Sequence, residues 1–437
     1  MRFGLRRMIP TARWFWILLF LVPACSPSAQ PSVSVEQTTQ EHLAHDRLES
    51  PALERRLHLA NLGVERWHRQ GHCGQGIKIA VLDSGFRDYR RFLGKGLPSH
   101  VKVRSFRKDQ DLEARDSQHG ILCGEVLHAL APDAEIMLVN WEPDNPQAFL
   151  DAIRWAKSQG AKIMSCSLIM PSWSDGEGCG EVHRGLAPQL SDSLFFASAG
   201  NTAQRHWCGP FSPNDTGWHR WRDDVTDNTL TPWGKDRVAV EFYGPTHSSF
   251  EVSICNSATG DAIGRSLLQV DATKKAGRAI VRFEPEAETA YQVKVRCIHS
   301  PDSTMEAFHL VVLGGSLECT TCRGSIPFPG DGAQVLAVGA VDAKGERVVY
   351  SSCGPNSRLP KPDFVATVPF PSLCRDRPFA GTSAAAPQAA GLAAVLWSSR
   401  PNWTPNQVTQ ALREAAFDLG PPGHDCETGY GLIRLPK

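Results

Sequence analysis

Four residues in this 437-residue chain have the types and surroundings that nucleophilic chemistry needs. Ser383 lies in GTSAAAPQAAGLAAVLW, where it opens a helix of small residues. There it sits beside its own backbone N–H and the positive end of the helix dipole. His119 precedes Gly120 and begins another helix after the polar DSQ. Asp83 follows the aliphatic run of IKIAVLDSG, and Asn201 ends FFASAGN. Taken singly, each has an ordinary explanation. The serine can be a helix N-cap, the histidine a surface residue, the aspartate a turn cap and the asparagine a turn residue. Taken together they match a chemical need. Acyl transfer requires a nucleophile, a base, a group that orients the base, and donors for the developing oxyanion. They occur in the order Asp, His, Asn, Ser.

The elements around them must bring them to one place. IKIAVLDSG reads as a buried strand, HGILCGEVLHAL as a helix and AEIMLVNW as a strand. PQAFLDAIRWAKSQG reads as a helix closed by Gly160, and AKIMSCSLIM, SDSLFFASAGN and AQVLAVGAVD as further strands. Strands alternating with helices predict an α/β fold, a parallel sheet with helices on both faces. Ligands on such sheets bind beyond the carboxyl ends of the strands, so Asp83 and Asn201 should share one rim. The alternation stops between Thr202 and Gly324. RVAVEFYG, FEVSICNS, AIVRFEP, YQVKVRC and HLVVLGG are short, period-two segments with turns between them. They predict an inserted antiparallel β-sandwich. The other reading is a long disordered loop, against which the regular strand pattern argues.

VLDSGF, HGILCGE, SAGN and GTSAAAP resemble the four signature segments of the subtilases, a family of serine peptidases. PNWTPNQVTQALREAA and GYGLIRL look like its closing helices and strand, and the likeness covers nearly all of Leu62–Thr202 and Ser325 onward. The resemblance implies a subtilisin-like fold and a serine endopeptidase. Ser383 would be the nucleophile, His119 the base and Asp83 the residue that orients it. The Asn201 side-chain amide and the Ser383 N–H would bind the oxyanion. The chain departs from the family pattern at Ile121, where threonine is usual. Ser167 and Leu168 match the segment whose backbone lines an extended substrate. The alternative is that SLIM is simply core strand, and Ile169 stands where the family usually has glycine. The chemistry needs no cofactor. Structural calcium is common in the family, but no ligands for it can be matched. The insertion follows Asn201, where the family's loop borders the primary specificity pocket. It could therefore gate the cleft or offer an exosite, or serve only as a spacer.

Three rival functions are weighed against this reading. One is a catalytically silent subtilase acting as a cell-envelope binding module. Another, a carboxyl peptidase on the same fold, would place Glu and Asp where His119 and Asn201 stand. A ligase using the same residues is also open. The expected partner is a peptide or protein substrate. Lys plus Arg and Asp plus Glu number 46 each, so the net charge is zero and no basic face calls for nucleic acid. Oligomeric state is left open.

The N-terminus carries Arg2, Arg6, Arg7 and Arg13 before an apolar run from Trp14 to Val22, the pattern of an export signal. LVPAC resembles a bacterial lipobox, which implies lipidation of Cys25, a membrane anchor and an extracytoplasmic, cell-envelope location. The alternative is an ordinary signal cut near Ala24 or Ala29, followed by secretion. The expected organisation is signal and lipobox 1–25, polar tether 26–60, catalytic domain 61–204 and 324–437, and sandwich 205–323. The short polar segment before the first strand predicts no folded pro-domain. Thirteen cysteines in an oxidising compartment predict disulfides. Candidate pairs are Cys255 with Cys297, Cys179 with Cys208, and Cys319 with Cys322. Cys123 and Cys166 could each be a free thiol near the active site; the alternatives are a small buried apolar group or a bridge between the two.

Overall fold

In the computed structural model the described residues are 51–244, 248–268, 277–299, 307–356 and 359–437. The export signal, Cys25 and the tether up to residue 50 lie outside them. The chain runs through α1 (Pro51–Asn61), α2 (Val64–Arg69), β1 (Lys78–Leu82), β2 (Lys102–Phe106), α3 (His119–Leu130), β3 (Glu135–Trp141), α4 (Pro146–Ser158), β4 (Ile163–Cys166), α5 (Glu181–Leu186) and β5 (Leu194–Ser198). Strands alone follow: β6 (His206–Pro210), β7 (Asn228–Pro232), β8 (Val238–Gly244), β9 (Ser249–Asn256), β10 (Ala262–Leu268), β11 (Gly277–Phe283), β12 (Tyr291–His299), β13 (Ala307–Leu313) and β14 (Gly315–Leu317). The last elements are β15 (Leu336–Val341), β16 (Phe364–Thr367), α6 (Thr382–Ser398) and α7 (Pro405–Ala415).

The expected fold class is found. A parallel seven-stranded sheet has the order β16-β15-β5-β4-β1-β3-β2. Both faces are covered, which is why its strands are almost uniformly apolar. Side chains alternate between the faces. Ile79, Val81, Ile136 and Leu138 pack on the side of α3 and α6, and Ala80, Leu82, Met137 and Val139 on the side of α4. Helix α6 is buried along nearly its whole length. Its small residues let it lie close to α3: a Cβ on Gly391 would stand 2.8 Å from the Leu130 Cβ.

Strands β5 and β15 are neighbours, so the insertion leaves and re-enters between two adjacent strands and the sheet stays continuous. The insertion is a sandwich of two antiparallel sheets, ordered β10-β9-β12-β7-β14 and β11-β8-β13-β6. Trp207, Trp221, Phe242, Phe250, Phe308 and Val295 fill the space between them.

The cysteine pairing differs from expectation. Among the described residues one disulfide joins Cys322 to Cys353. Cys319 is held instead in the sandwich, where its backbone N–H donates to Asn228 Oδ1 (2.8 Å) and its carbonyl accepts from Asn228 Nδ2 (2.9 Å). Cys322, three residues on, has already turned toward the catalytic domain. Cys255 faces Gln292 across β9 and β12, whereas Cys297 faces Phe250. That offset of five residues separates them by roughly 16 Å, beyond disulfide reach. Cys179 and Cys208 are not bridged, nor are Cys123 and Cys166.

Residues 51–60, assigned above to the tether, belong to α1. The helix is anchored by Arg55, a buried arginine. Its Nε donates to Pro371 O (2.9 Å), and its guanidinium pairs with the buried Glu125 carboxylate of α3. Glu125 also accepts from Ser372 Oγ (2.7 Å) and Leu373 N (2.6 Å). Removing one partner of such a pair strands the other charge. We expect Arg55→Ala to lower unfolding free energy by about 3–5 kcal/mol in denaturant titration. A double exchange of Arg55 and Glu125 for apolar residues should recover most of the loss. A loss below about 1 kcal/mol, the scale of a solvated surface pair, would show that the pair is not desolvated.

Candidate active site

Asp83 follows the last residue of β1, and His119 is the first residue of α3. Asp83 is fully buried. Its Oδ1 accepts from Ser84 N (2.8 Å) and Gly85 N (2.9 Å), which leaves Oδ2 to accept from His119 Nδ1 at 2.7 Å. Two glycines make the approach possible. A Cβ on Gly120 would lie 2.8 Å from the Asp83 Cβ, and one on Gly85 would lie 2.7 Å from His119 N. The Gly85 carbonyl accepts from Gly120 N (2.8 Å), tying the aspartate loop to the first turn of α3.

The imidazole packs edge-on against Phe379, with ring centroids 5.6 Å apart. It keeps 29% of its side-chain surface open. Burial pulls its pKa down, but the charge and hydrogen bond of Asp83 outweigh that and hold it above the ordinary histidine value, while Arg375 works against the rise. A cleft of about 450 Å³ opens beside it, lined by His119, Gln118, Arg375 and Phe379.

Ser383 is the second residue of α6. Its Oγ donates to Ser167 O (3.3 Å), and Ser167 Oγ donates to Ser383 O (3.0 Å). This reciprocal pair fastens the end of β4 to the start of α6. Cys123, one turn after His119, fills the gap: its Sγ lies 3.9 Å from Asp83 Oδ2 and 3.8 Å from Ser383 O. Burial, then the Asp83 charge, pushes this thiol well above its usual pKa, and burial pushes Cys166 up to about 12. Both are thus protonated apolar fillers rather than nucleophiles.

Asn201 follows β5. Its Oδ1 accepts from Thr382 N (3.0 Å) and Thr382 Oγ1 (2.9 Å). With the carbonyl end occupied, the amide is oriented and its Nδ2 is left to donate. Gly381 has φ 84° and sits so close that a Cβ would lie 3.0 Å from Asn201 Nδ2, so glycine is required twice over. The structure therefore brings the environments of Asp83, His119, Asn201 and Ser383 together at the carboxyl rim of the sheet. Thr382 is the residue the sequence reading missed. Its signal was the threonine inside GTSAAAP, read only as part of the serine's segment.

Ser167 and Leu168 leave β4 toward a second cleft of about 440 Å³. Leu168, Ile169 and Met170 form one wall. The other is the outer face of β8 and β11, from which Glu241, Arg278, Ile280 and Arg282 project. Arg282 also reaches Asp144 Oδ1 at 3.0 Å, and Glu241 Oε2 accepts from Ser172 N at 3.1 Å. Among the described residues the groups with metal-ligand spacing are Asp83, His119 and Cys123, and Glu177, Cys208 and His309. Neither is the all-oxygen set that calcium takes.

Comparison with known proteins agrees with this architecture. Residues 74–228 and 314–431 match the model of the Subtilase family. A thermostable alkaline protease of Halalkalibacterium halodurans is 34% identical over 117 residues, covering 27% of this chain and 31% of that protein. Subtilisin DY of Bacillus licheniformis is 25% identical over 194 residues, covering 44% of this chain and 68% of that protein. The chain thus spans less than a third of the first relative. The structure of the CspB protease of Clostridium perfringens superposes with a TM-score of 0.60 at 14% identity, covering 84% of this chain and 95% of that one. At that identity the likeness is one of fold.

Two substitutions test the electrostatics without an activity assay. Asp83→Asn should lower the His119 pKa, since it removes the charge that raises it. Arg375→Ala should raise it. Imidazole resonances followed through a pH titration would give both shifts; a His119 pKa unmoved by Asp83→Asn would break the pairing described above.

Proposed function

The chain belongs to the subtilase family of serine peptidases, and on that premise we propose that it is an endopeptidase working through an acyl-enzyme on Ser383. The observation that carries this reading is the buried Asp83–His119 hydrogen bond beside a helix-borne serine and a pre-oriented asparagine amide. Ser383 Oγ attacks the scissile carbonyl carbon while its proton passes to His119. Asp83 holds the ring with Nδ1–H toward itself, so Nε2 is the basic atom, and it stabilises the imidazolium that forms. The oxyanion is received by Asn201 Nδ2 and the Ser383 N–H. The C–N bond then breaks as His119 returns the proton to the amine. Water, deprotonated by the same ring, hydrolyses the ester.

The wall of sandwich beside Leu168–Met170 favours gating over a passive spacer. A substrate strand laid along that segment would run under Arg115, Arg237, Arg278 and Arg282, opposed by only Asp144 and Glu241, both already engaged. We therefore propose a preference for substrates with acidic side chains there. The arginine-led apolar segment ending at Cys25 supports export and lipid attachment at the cell envelope, with plain signal cleavage as the alternative. Intact-mass measurement of the exported protein distinguishes the two. No described helix is long and apolar enough to cross a membrane.

A fluorophosphonate probe should label the exported protein and not Ser383→Ala. Asn201→Ala should cost about 10²–10³ in kcat, a range known from subtilisin itself rather than derived from this chain. A folded parent that stays unlabelled would favour the silent binding module. For the cleft, Arg278→Glu should lower kcat/KM for acidic peptides about three- to tenfold, the value of one partly solvated charge contact, and leave neutral peptides unchanged. Equal effects on both peptide types would remove the arginine wall from substrate recognition.

A further inference from the structure

Where the sandwich meets the catalytic domain, three side chains of metal-binding type converge. Cys208 comes from β6 and His309 from β13, and the two face each other across that strand pair. Glu177 comes from the loop that continues from the substrate-lining segment. Cys208 Sγ lies 3.7 Å from His309 Nε2, and Glu177 Oε1 lies 3.2 Å from the same nitrogen. All three donor atoms fall within 4.8 Å of one another. Tetrahedral zinc, with bonds of about 2.3 Å to sulfur and about 2.0–2.2 Å to nitrogen and oxygen, sets its ligand atoms about 3.3–3.6 Å apart. The two separations from His309 Nε2, 3.7 and 3.2 Å, lie close to that range, and the third is within 4.8 Å.

The hydrogen bonds behind the cluster prepare it for a cation. Thr321 O can only accept, so His206 donates to it through Nδ1–H at 3.0 Å. His206 Nε2 is then the acceptor, and it takes the Nδ1–H of His309 at 3.0 Å. The relay leaves His309 Nε2 with its lone pair toward Cys208 and Glu177. Partners of this kind fix the tautomer of metal-bound histidines. Glu177 Oε2 is buried and has no hydrogen-bond partner among the described residues.

We propose that Cys208, His309 and Glu177 form a zinc-binding site that rivets the inserted sandwich to the catalytic domain, with a fourth position left for water. Binding releases the thiol proton, and the Nε2 proton where present, to solvent. The bonds formed are Zn–S, Zn–N and Zn–O, and nothing is oxidised. The Cys322–Cys353 disulfide already fastens the return from the sandwich. The zinc would add a second tie beside it, through the loop leading from Leu168, since Thr321, next to Cys322, already bonds to His206 and Cys208.

The test uses the full chain, stripped with a chelator and titrated with cobalt(II), whose thiolate complexes absorb in the near ultraviolet. We expect one cobalt per chain, a thiolate-to-cobalt band, and its displacement by zinc. Cys208→Ser should abolish the band. His206→Gln should keep the band but weaken binding about 10–100-fold, as loss of such an outer partner does. Circular dichroism checks that each variant folds, and Glu177→Gln, at a partly exposed position, is the milder substitution if Cys208→Ser does not. It should also weaken binding. The proposal fails if the folded parent gives no band, if Cys208→Ser retains it, or if peptide mapping finds Cys208 bridged to Cys179. None of these readouts depends on peptidase activity.

Discussion

The buried hydrogen bond between Asp83 and His119 is the constraint around which the rest of the catalytic domain is arranged. A carboxylate with no exposed surface must have its oxygens satisfied. Two backbone N–H groups and one imidazole do so here. That arrangement forces the end of β1 against the start of α3, which only glycine at positions 85 and 120 allows. Once α3 is placed, its other residues are placed with it. Cys123 comes to rest between Asp83 and the Ser383 carbonyl, and Glu125 becomes the buried anchor that receives Arg55. One helix thus carries the base, the filler behind the serine and the attachment of the N-terminal helix.

The same economy holds on the other side of the rim. Thr382 uses both its backbone N–H and its hydroxyl to orient Asn201, and that hydroxyl also accepts from Gly200 N at 3.2 Å. The serine and the asparagine are therefore held relative to each other by the residue between Gly381 and Ser383. The insertion begins one residue later without disturbing this. Thr202 Oγ1 donates to Ser325 O at 2.6 Å, so the points of departure and return are joined directly.

Much of this was legible in the residues. Uniformly apolar runs marked the strands of a sheet covered on both faces, and alternating runs marked the sandwich. The polar residues closing those runs marked the rim. What escaped was whatever depends on register or on contacts between distant segments. The offset of Cys255 and Cys297 follows from how β9 pairs with β12, which neither segment encodes alone. Arg55 read as one polar residue among many, because its burial depends on Glu125 and on the Pro371 carbonyl, each far along the chain. The placement of β8 and β11 over Leu168–Met170 depends on how two domains meet. Thr382 stood in plain view, but a threonine before a serine shows no role until the asparagine across from it is known.

The pairing of β6 with β13 bears on the order in which this chain assembles. Strands β5 and β15 are neighbours separated by the whole insertion, and closing so long a flexible loop is entropically costly and slow. Strand β6 lies soon after β5, and β13 precedes β15 with β14 between them. When β6 and β13 pair, the start of the insertion and one of its last strands come to about one strand spacing, 4.8 Å. The distant closure then becomes a local one. Folding the sandwich first is the kinetically economical route, and a chain in which that module is slow to form would wait, with five strands of its central sheet in place, for the last two to arrive.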